Sequence, residues 1–231
     1  MDCGLWKLGR EIGKGAYGTV YLARNAEGDW AAVKVCREPE GTSDDAYKRE
    51  QRGIRLYATL PPTRGLVRLL GTGACEGGFY SAFELADDEF NGRNFDAANY
   101  RPRTLASVIA GEKALPLEQC LKLGTTLAAG LATLQQHHLL HRDIKPGNIL
   151  FVDDQPVLSD PGLLVEEAAA VSAVGTPGYV PPESFVAAGS DIYSLGLTLK
   201  AVSFGRPVEE LAKGPALESD AASPLFARWW Q

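Results

Sequence analysis

Between His141 and Asn148 the chain reads His-Arg-Asp-Ile-Lys-Pro-Gly-Asn, which sets a carboxylate (Asp143), an ammonium (Lys145) and a carboxamide (Asn148) on one short loop. Phosphoryl transfer uses groups of these types close together. A carboxylate orients the hydroxyl nucleophile, a cation offsets charge on the moving phosphoryl, and an amide oxygen holds a metal ion. Taken alone, the same residues could be a basic turn after a helix. The loop needs two elements to position it. Leu117 to His138 reads as a long amphipathic helix leading in, with Leu121, Leu127, Leu131 and Leu134 on its apolar face. Ile149 to Val152 reads as a short apolar strand leading out.

Two further segments carry groups suited to a phosphate ligand. Gly13, Gly15 and Gly18 lie between alternating stretches, Leu5 to Ile12 and Thr19 to Ala23, that read as paired strands. Glycines there let backbone amides approach phosphate oxygens without side-chain obstruction. The turn leads into a second strand rather than a helix, which favours a phosphate-covering hairpin over a dinucleotide-binding turn. Lys34 interrupts the apolar strand Ala31 to Val35, and a lysine is seldom buried without a partner. The segment 43–60 offers one: capped by Ser43 or Asp44, it puts Tyr47, Glu50, Ile54 and Tyr57 on one helical face, with Glu50 the only acid among them. The alternative is a solvated Glu50 beside Lys48 and Arg49.

In this order the segments resemble the catalytic domain of eukaryotic-like serine/threonine protein kinases, in a compact form. The carriers are the glycine turn, Lys34, Glu50, the His141–Asn148 loop, Asp160-Pro161-Gly162, Gly175 to Glu183, and Asp191-Ile192-Tyr193-Ser194-Leu195-Gly196. The resemblance implies ATP and Mg²⁺ as ligands, with Asp143 orienting the nucleophile and Lys145 stabilising the transferring group. Lys34 and Glu50 would form the ion pair that positions the phosphates, and Asn148 and Asp160 would hold the metal. Ile12, Gly13, Gly15 and Gly18 would cover the nucleotide. Val20, Ala32 and Leu150 would sandwich its base, Phe83 would guard the pocket behind, and backbone groups of Glu84 and Ala86 would meet the adenine edge. Ordinary core packing would also explain each apolar member. Asp191 would hold the catalytic-loop backbone, or simply cap its helix. Thr176, with Lys145, points to the serine/threonine branch. Ser172 is the plausible phosphorylation site in the middle of the segment and Arg142 could pair with an anion, yet activity is expected without loop phosphorylation.

The family's Asp-Phe-Gly is here Asp-Pro-Gly. Proline is smaller than phenylalanine, lacks an N–H and fixes φ. A stack of Ile54, Leu69 and His141 would be left with a space to fill, or the loop after Asp160 would lose a switchable aromatic.

The expected architecture is α+β and bilobal: residues 1–86 as a small five-stranded lobe with one helix, and 87–231 as a mainly helical lobe that is shortened after residue 204. Segment 87–103, with four acids and three arginines, is long for a hinge connection. Late in the chain, Arg206 and Arg228 are the candidates to pair with Glu183, and Trp229 and Trp230 could seal the second lobe or mark a partner surface. At 231 residues, 45% apolar, with net charge −6, the chain can bury sizeable cores. It has no basic tract suited to nucleic acid. It carries no apolar run long enough for a membrane span and no leader-like segment. Cys3, Cys36, Cys75 and Cys120 lack disulfide or metal spacing, as expected of a cytoplasmic protein. The expected activity is transfer of the ATP γ-phosphate to Ser or Thr of protein substrates. The alternatives are a nucleotide-binding pseudokinase scaffold and a small-molecule kinase. Nothing in the sequence fixes the oligomeric state.

Overall fold

The computed structural model describes residues 2–15, 18–39, 45–111, 114–169, 175–181, 188–206 and 208–211. The expectations that rest on Ser43, Asp44, Ser172, Glu183, Arg228, Trp229 and Trp230 lie outside them. The first half is an antiparallel sheet of six strands in the order β1 (Asp2–Cys3), β2 (Trp6–Lys14), β3 (Thr19–Arg24), β4 (Trp30–Arg37), β6 (Gly78–Glu84), β5 (Leu69–Cys75). The count exceeds the expected five because Asp2 and Cys3 pair with Lys7 and Trp6 across a two-residue turn.

Side chains alternate across a strand, and that alternation decides where Lys34 points. In β4, Ala31, Val33 and Val35 join Cys3, Trp6, Tyr80 and Ala82 in one apolar cluster on the outer face. Ala32 and Lys34 therefore share the inner face, where Lys34 lies opposite Val20 of β3 and Ser81 of β6. Helix α1 (Asp45–Tyr57) crosses this face and buries Glu50, Gly53, Ile54 and Tyr57. Spacings of three and four put them on one side. Tyr47 is only half-buried and packs edge-on against Phe79, ring centroids 5.3 Å apart.

The second half is mainly helical: α2 (Leu105–Gly111), α3 (Leu117–Gln136), α4 (Ala188–Phe204) and α5 (Val208–Leu211). Helix α3 buries Cys120, Leu123, Leu127, Leu131 and Leu134, and each full burial of a leucine contributes about 1.5–3 kcal/mol. Leu121, expected on that face, is 53% exposed. It falls off the stripe that runs through 120, 123 and 127, so the helix turns it outward. The helix also stops before His138, whose positive φ of 56° turns the chain into β7 (Leu139–Leu140). Beyond the loop comes a hairpin of β8 (Ile149–Val152) and β9 (Gln155–Leu158), and then β10 (Val165–Glu166), which pairs with β7. One core cluster runs from Cys36, Ile54, Phe79 and Phe83 through Val67 and Leu158 to Leu127, Leu131 and Ile149. No helix among the described residues is long and apolar enough to cross a membrane.

Candidate active site

A cavity of about 450 Å³ opens where the inner face of the sheet meets the 141–148 loop and the hairpin after it, a size that suits a small organic ligand. Ile12, Gly13, Gly15, Val20, Ala32 and Lys34 line it from the sheet, Phe83, Glu84 and Ala86 from the end of β6, and Glu50 from α1. Asp143, Lys145, Asn148, Leu150 and Asp160 close the opposite wall. Of the residues expected at this site, Gly18 alone is not part of the lining. A β-carbon there would lie 2.7 Å from the Val35 carbonyl oxygen and 2.9 Å from the Cys36 sulfur. Gly18 thus serves the close approach of β3 to β4 rather than the cavity.

The polar groups form two clusters. In the first, the Lys34 ammonium lies 2.6 Å from Oε1 of Glu50 and 2.7 Å from Oδ1 of Asp160. Lys34 and Glu50 are buried, at 7% and 2% exposure. Burial opposes the charge on Lys34, but the carboxylates of Asp160 and Glu50 outweigh it and hold the ammonium above its ordinary pKa. For Glu50 burial is the larger influence and pushes the carboxyl up against the pull of Lys34. Asp160 itself holds a left-handed backbone, φ 58° and ψ 64°. Such a conformation is uncommon outside glycine and tends to mark functional positions. It swings the carboxylate back toward Lys34, and the side chain stays 43% exposed toward the cavity.

In the second cluster, Asp143 accepts on both oxygens. Thr176 Oγ1 donates to Oδ1 at 2.6 Å, while Lys145 Nζ and Asn148 Nδ2 donate to Oδ2 at 3.0 Å and 2.7 Å. Lys145 also donates to the Thr176 hydroxyl at 2.7 Å. Partial burial would raise the Asp143 pKa, yet the bonds from Thr176, Lys145 and Asn148 overcome it and leave the carboxyl below its ordinary value. Because Asn148 spends its amide N–H groups on Asp143, its Oδ1 is left as an acceptor. Ser159 donates from both its backbone N–H and its hydroxyl to the Asn148 carbonyl, at 2.8 Å and 2.9 Å, which brings Asp160 alongside Asn148. The pair offers a carboxylate and an amide oxygen, hard ligands that suit a magnesium ion also held by phosphate and water.

The loop is held from below. Asp191, 5% exposed at the start of α4, accepts backbone N–H bonds from His141 at 2.7 Å and Arg142 at 2.8 Å. Arg142 has a positive φ of 67° and donates from Nε to the Leu163 carbonyl at 2.9 Å. His141 is buried, which pushes its imidazole pKa down against the pull of Asp191, and its Nδ1 lies 3.4 Å from the Asp143 backbone N–H.

The space expected at Pro161 is only partly taken up: the cavity reaches Ile54, Val67, Pro161 and Gly162, while α1 closes on the loop from its other side. Pro161 and Gly162 are buried against α1, where a β-carbon on Gly53 would lie 2.9 Å from the Gly162 carbonyl oxygen. The absence of two side chains lets the helix backbone come down onto the loop. Ile54 is buried and Leu69 half-buried in the same core, with His141 buried beneath. Three residues escaped the sequence reading: Gly53, whose signal is a lone glycine inside a helical stripe; Thr176, placed in the right segment but not against Asp143; and Tyr100, which lines the cavity. For Tyr100 the sequence offers no signal beyond the unusual length of segment 87–103.

A sequence model of the protein kinase domain matches residues 6–224 of the chain. Among similar proteins, the serine/threonine-protein kinase AfsK of Streptomyces griseus is 32% identical over 247 aligned residues, covering 95% of this chain and 28% of AfsK. The serine/threonine-protein kinase PknK of Mycobacterium bovis is 32% identical over 217 residues, covering 88% of this chain and 18% of PknK. An Aurora kinase of Schizosaccharomyces pombe is 29% identical, covering 90% of this chain and 57% of that protein. The chain thus spans less than a third of the length of either bacterial relative.

Proposed function

Because the chain belongs to the protein kinase family, we propose that it transfers the γ-phosphoryl group of ATP to serine or threonine hydroxyls of protein substrates. The observation that carries this reading is the meeting of two clusters across one cavity: Lys34 with Glu50 and Asp160, and Asp143 with Lys145, Asn148 and Thr176. Residues 1–86 and 87–231 are read as the two lobes that clasp the nucleotide. Its base lies between Val20, Ala32 and Leu150, in front of Phe83 and against the edge of Glu84 and Ala86. The backbone at Gly13 and Gly15 covers the phosphates.

In the reaction, Lys34 holds the α- and β-phosphates and Glu50 keeps the ammonium aimed at them. Asn148 and Asp160 would hold magnesium, which supplies positive charge to the phosphate oxygens when bound. The acceptor hydroxyl hydrogen-bonds to Asp143. A carboxylate with a depressed pKa is a weak base, so its main work is to aim the nucleophile and take the proton late, as a loose transition state allows. Lys145 neutralises charge on the group in transit. Its bond to Thr176 supports the serine/threonine preference, since that hydroxyl holds the cation beside Asp143. The part-buried Asp143–Asn148–Thr176 network forms without a phosphate group, which supports activity that does not strictly require loop phosphorylation. The four free cysteines suit a reducing cytoplasm.

Incubation with γ-labelled ATP, magnesium and a generic basic acceptor protein tests the proposal. Labelled phosphoserine or phosphothreonine is expected, and Asp143→Ala should lose it. Nucleotide binding without transfer by the unaltered chain would assign it to the scaffold class instead.

A further inference from the structure

The segment that follows β6 turns back on the strand end and occupies its carbonyl groups. Arg93 donates from Nη1 to the Leu85 carbonyl at 2.8 Å, and the Tyr100 hydroxyl donates to the Ala86 carbonyl at 3.1 Å. The segment is a built structure rather than a slack connection. Asp88, 2% exposed, accepts backbone N–H bonds from Phe90, Asn91 and Arg101, and Glu89 N–H reaches the Arg101 carbonyl at 2.8 Å. It is also fastened to the strand that carries the glycine turn: Arg10 of β2 donates to the Ala97 carbonyl at 2.9 Å and to the Tyr100 carbonyl. Tyr100 is 1% exposed, packs against Phe95 at a centroid distance of 4.9 Å and shares an apolar cluster with Leu85, Ile12 and Ala32.

We propose that this segment is a base-specificity element of the cavity, with Tyr100 as its deciding residue and Arg10 as the residue that positions it. The inference rests on the reading that an adenine edge meets Glu84 and Ala86. With the Ala86 carbonyl engaged by the Tyr100 hydroxyl, a purine that brings an extra N–H donor to that edge must compete with the tyrosine for that oxygen or share it in poorer geometry, and its donor is desolvated against the ring. Sites that discriminate by hydrogen bonding do so because an unmatched polar group is costly. Adenine, with a C–H at position 2, carries no such donor. Purines with a 2-amino group do, so the element selects against them.

The test is equilibrium binding of ADP and of the 2,6-diaminopurine diphosphate to the full chain, and to Tyr100→Phe and Arg10→Ala, with thermal unfolding run on each. The unaltered protein is expected to prefer ADP. Tyr100→Phe opens the Ala86 carbonyl and should shift the ratio of the two dissociation constants toward the diaminopurine by roughly three- to tenfold. Arg10 is exposed and its loss should leave the protein folded, moving the ratio the same way by less. A general loss of stability would weaken both ligands alike and leave the ratio alone. If both variants keep the original ratio, the proposal is overturned while the nucleotide reading stands. If the unaltered chain binds neither ligand, both fall together.

Discussion

A β-carbon on Gly53 of α1 would stand 2.5 Å from the carbonyl oxygen of Pro161. Helix and loop therefore meet backbone to backbone, one turn from the point where Glu50 faces Lys34. Gly162 is bound by the same limit, since any β-carbon there would overlap the Glu50 carboxylate. Arg52, on the same helix, reaches Glu166 of β10 at 2.6 Å, an exposed pair that by itself adds little. The glycine–proline contact is what fixes α1 against the loop that carries Asp160.

Gly53→Ala sets two effects against each other. Alanine is the better helix former by about 1 kcal/mol, while a methyl group forced into filled space costs about 1–3 kcal/mol. The steric cost is larger, so the variant should unfold at a lower temperature and lose transfer activity as α1 and Glu50 are pushed from Lys34. Thermal unfolding and a phosphate-transfer assay on the same sample decide it. A more stable, fully active Gly53→Ala protein would mean the two segments part freely.

Much of the site was legible because its polar residues come in short runs whose local spacing is itself the signal. His141 to Asn148 needs only one tight loop to gather its groups, and Lys34 had to find a carboxylate because an apolar strand carried it inward. Other features depend on contacts between distant segments. The packing of Pro161 depends on Gly53, more than a hundred positions earlier. Thr176 reaches Asp143 across 33 positions, and Tyr100 reaches Ala86 only because segment 87–103 folds back on the strand end. Leu121 and Gly18 failed for a simpler reason. An apolar residue one step off a helical stripe faces water, and a glycine in a phosphate-type turn can be required by the neighbouring strand instead.

The hydroxyl of Thr176 helps to hold Asp143 ionised, and this gives a pH test. Burial pushes the Asp143 pKa up and the bonds from Thr176, Lys145 and Asn148 pull it below the ordinary carboxylate value. For a group depressed on folding, the stabilisation is present above its unfolded pKa and is lost as pH falls through the folded one. Thr176→Val removes one of these donors, so the Asp143 pKa should rise. The acid limb of the pH–rate profile should then move to higher pH, with activity at neutral pH lowered as Lys145 loses its second partner. An unchanged acid limb would separate Thr176 from the ionisation of Asp143.

Asp191 accepts two backbone N–H bonds with two oxygens, a match that asparagine cannot reproduce. In Asp191→Asn one N–H, of His141 or Arg142, faces an amide donor, which should cost about 1–3 kcal/mol. The catalytic loop would shift, and a displacement of about 1 Å can lower a rate some hundredfold. The expected pattern is a large fall in kcat with a small change in KM for ATP, because Lys34 and the glycine turn are untouched. A fall in affinity alone would show that Asp191 supports the nucleotide side instead.

Lys34→Met leaves Glu50 buried beside Asp160 with no cation between them. Removing one partner of a buried ion pair costs on the order of 3–5 kcal/mol, mostly from the charge left behind. That penalty depends on pH with a definite sign. Burial already pushes the Glu50 carboxyl up, and without Lys34 it should rise further. A carboxyl raised on folding contributes stability below its unfolded pKa and loses it as pH climbs through the folded value. The variant should therefore be nearly as stable as the unaltered protein near the ordinary carboxylate pKa, and fall progressively behind as pH rises toward neutrality. Thermal unfolding of both proteins across that range reads the difference. Curves that stay a constant distance apart would mean that Glu50 finds water or another cation when Lys34 is gone, and that the pair is not sealed from solvent.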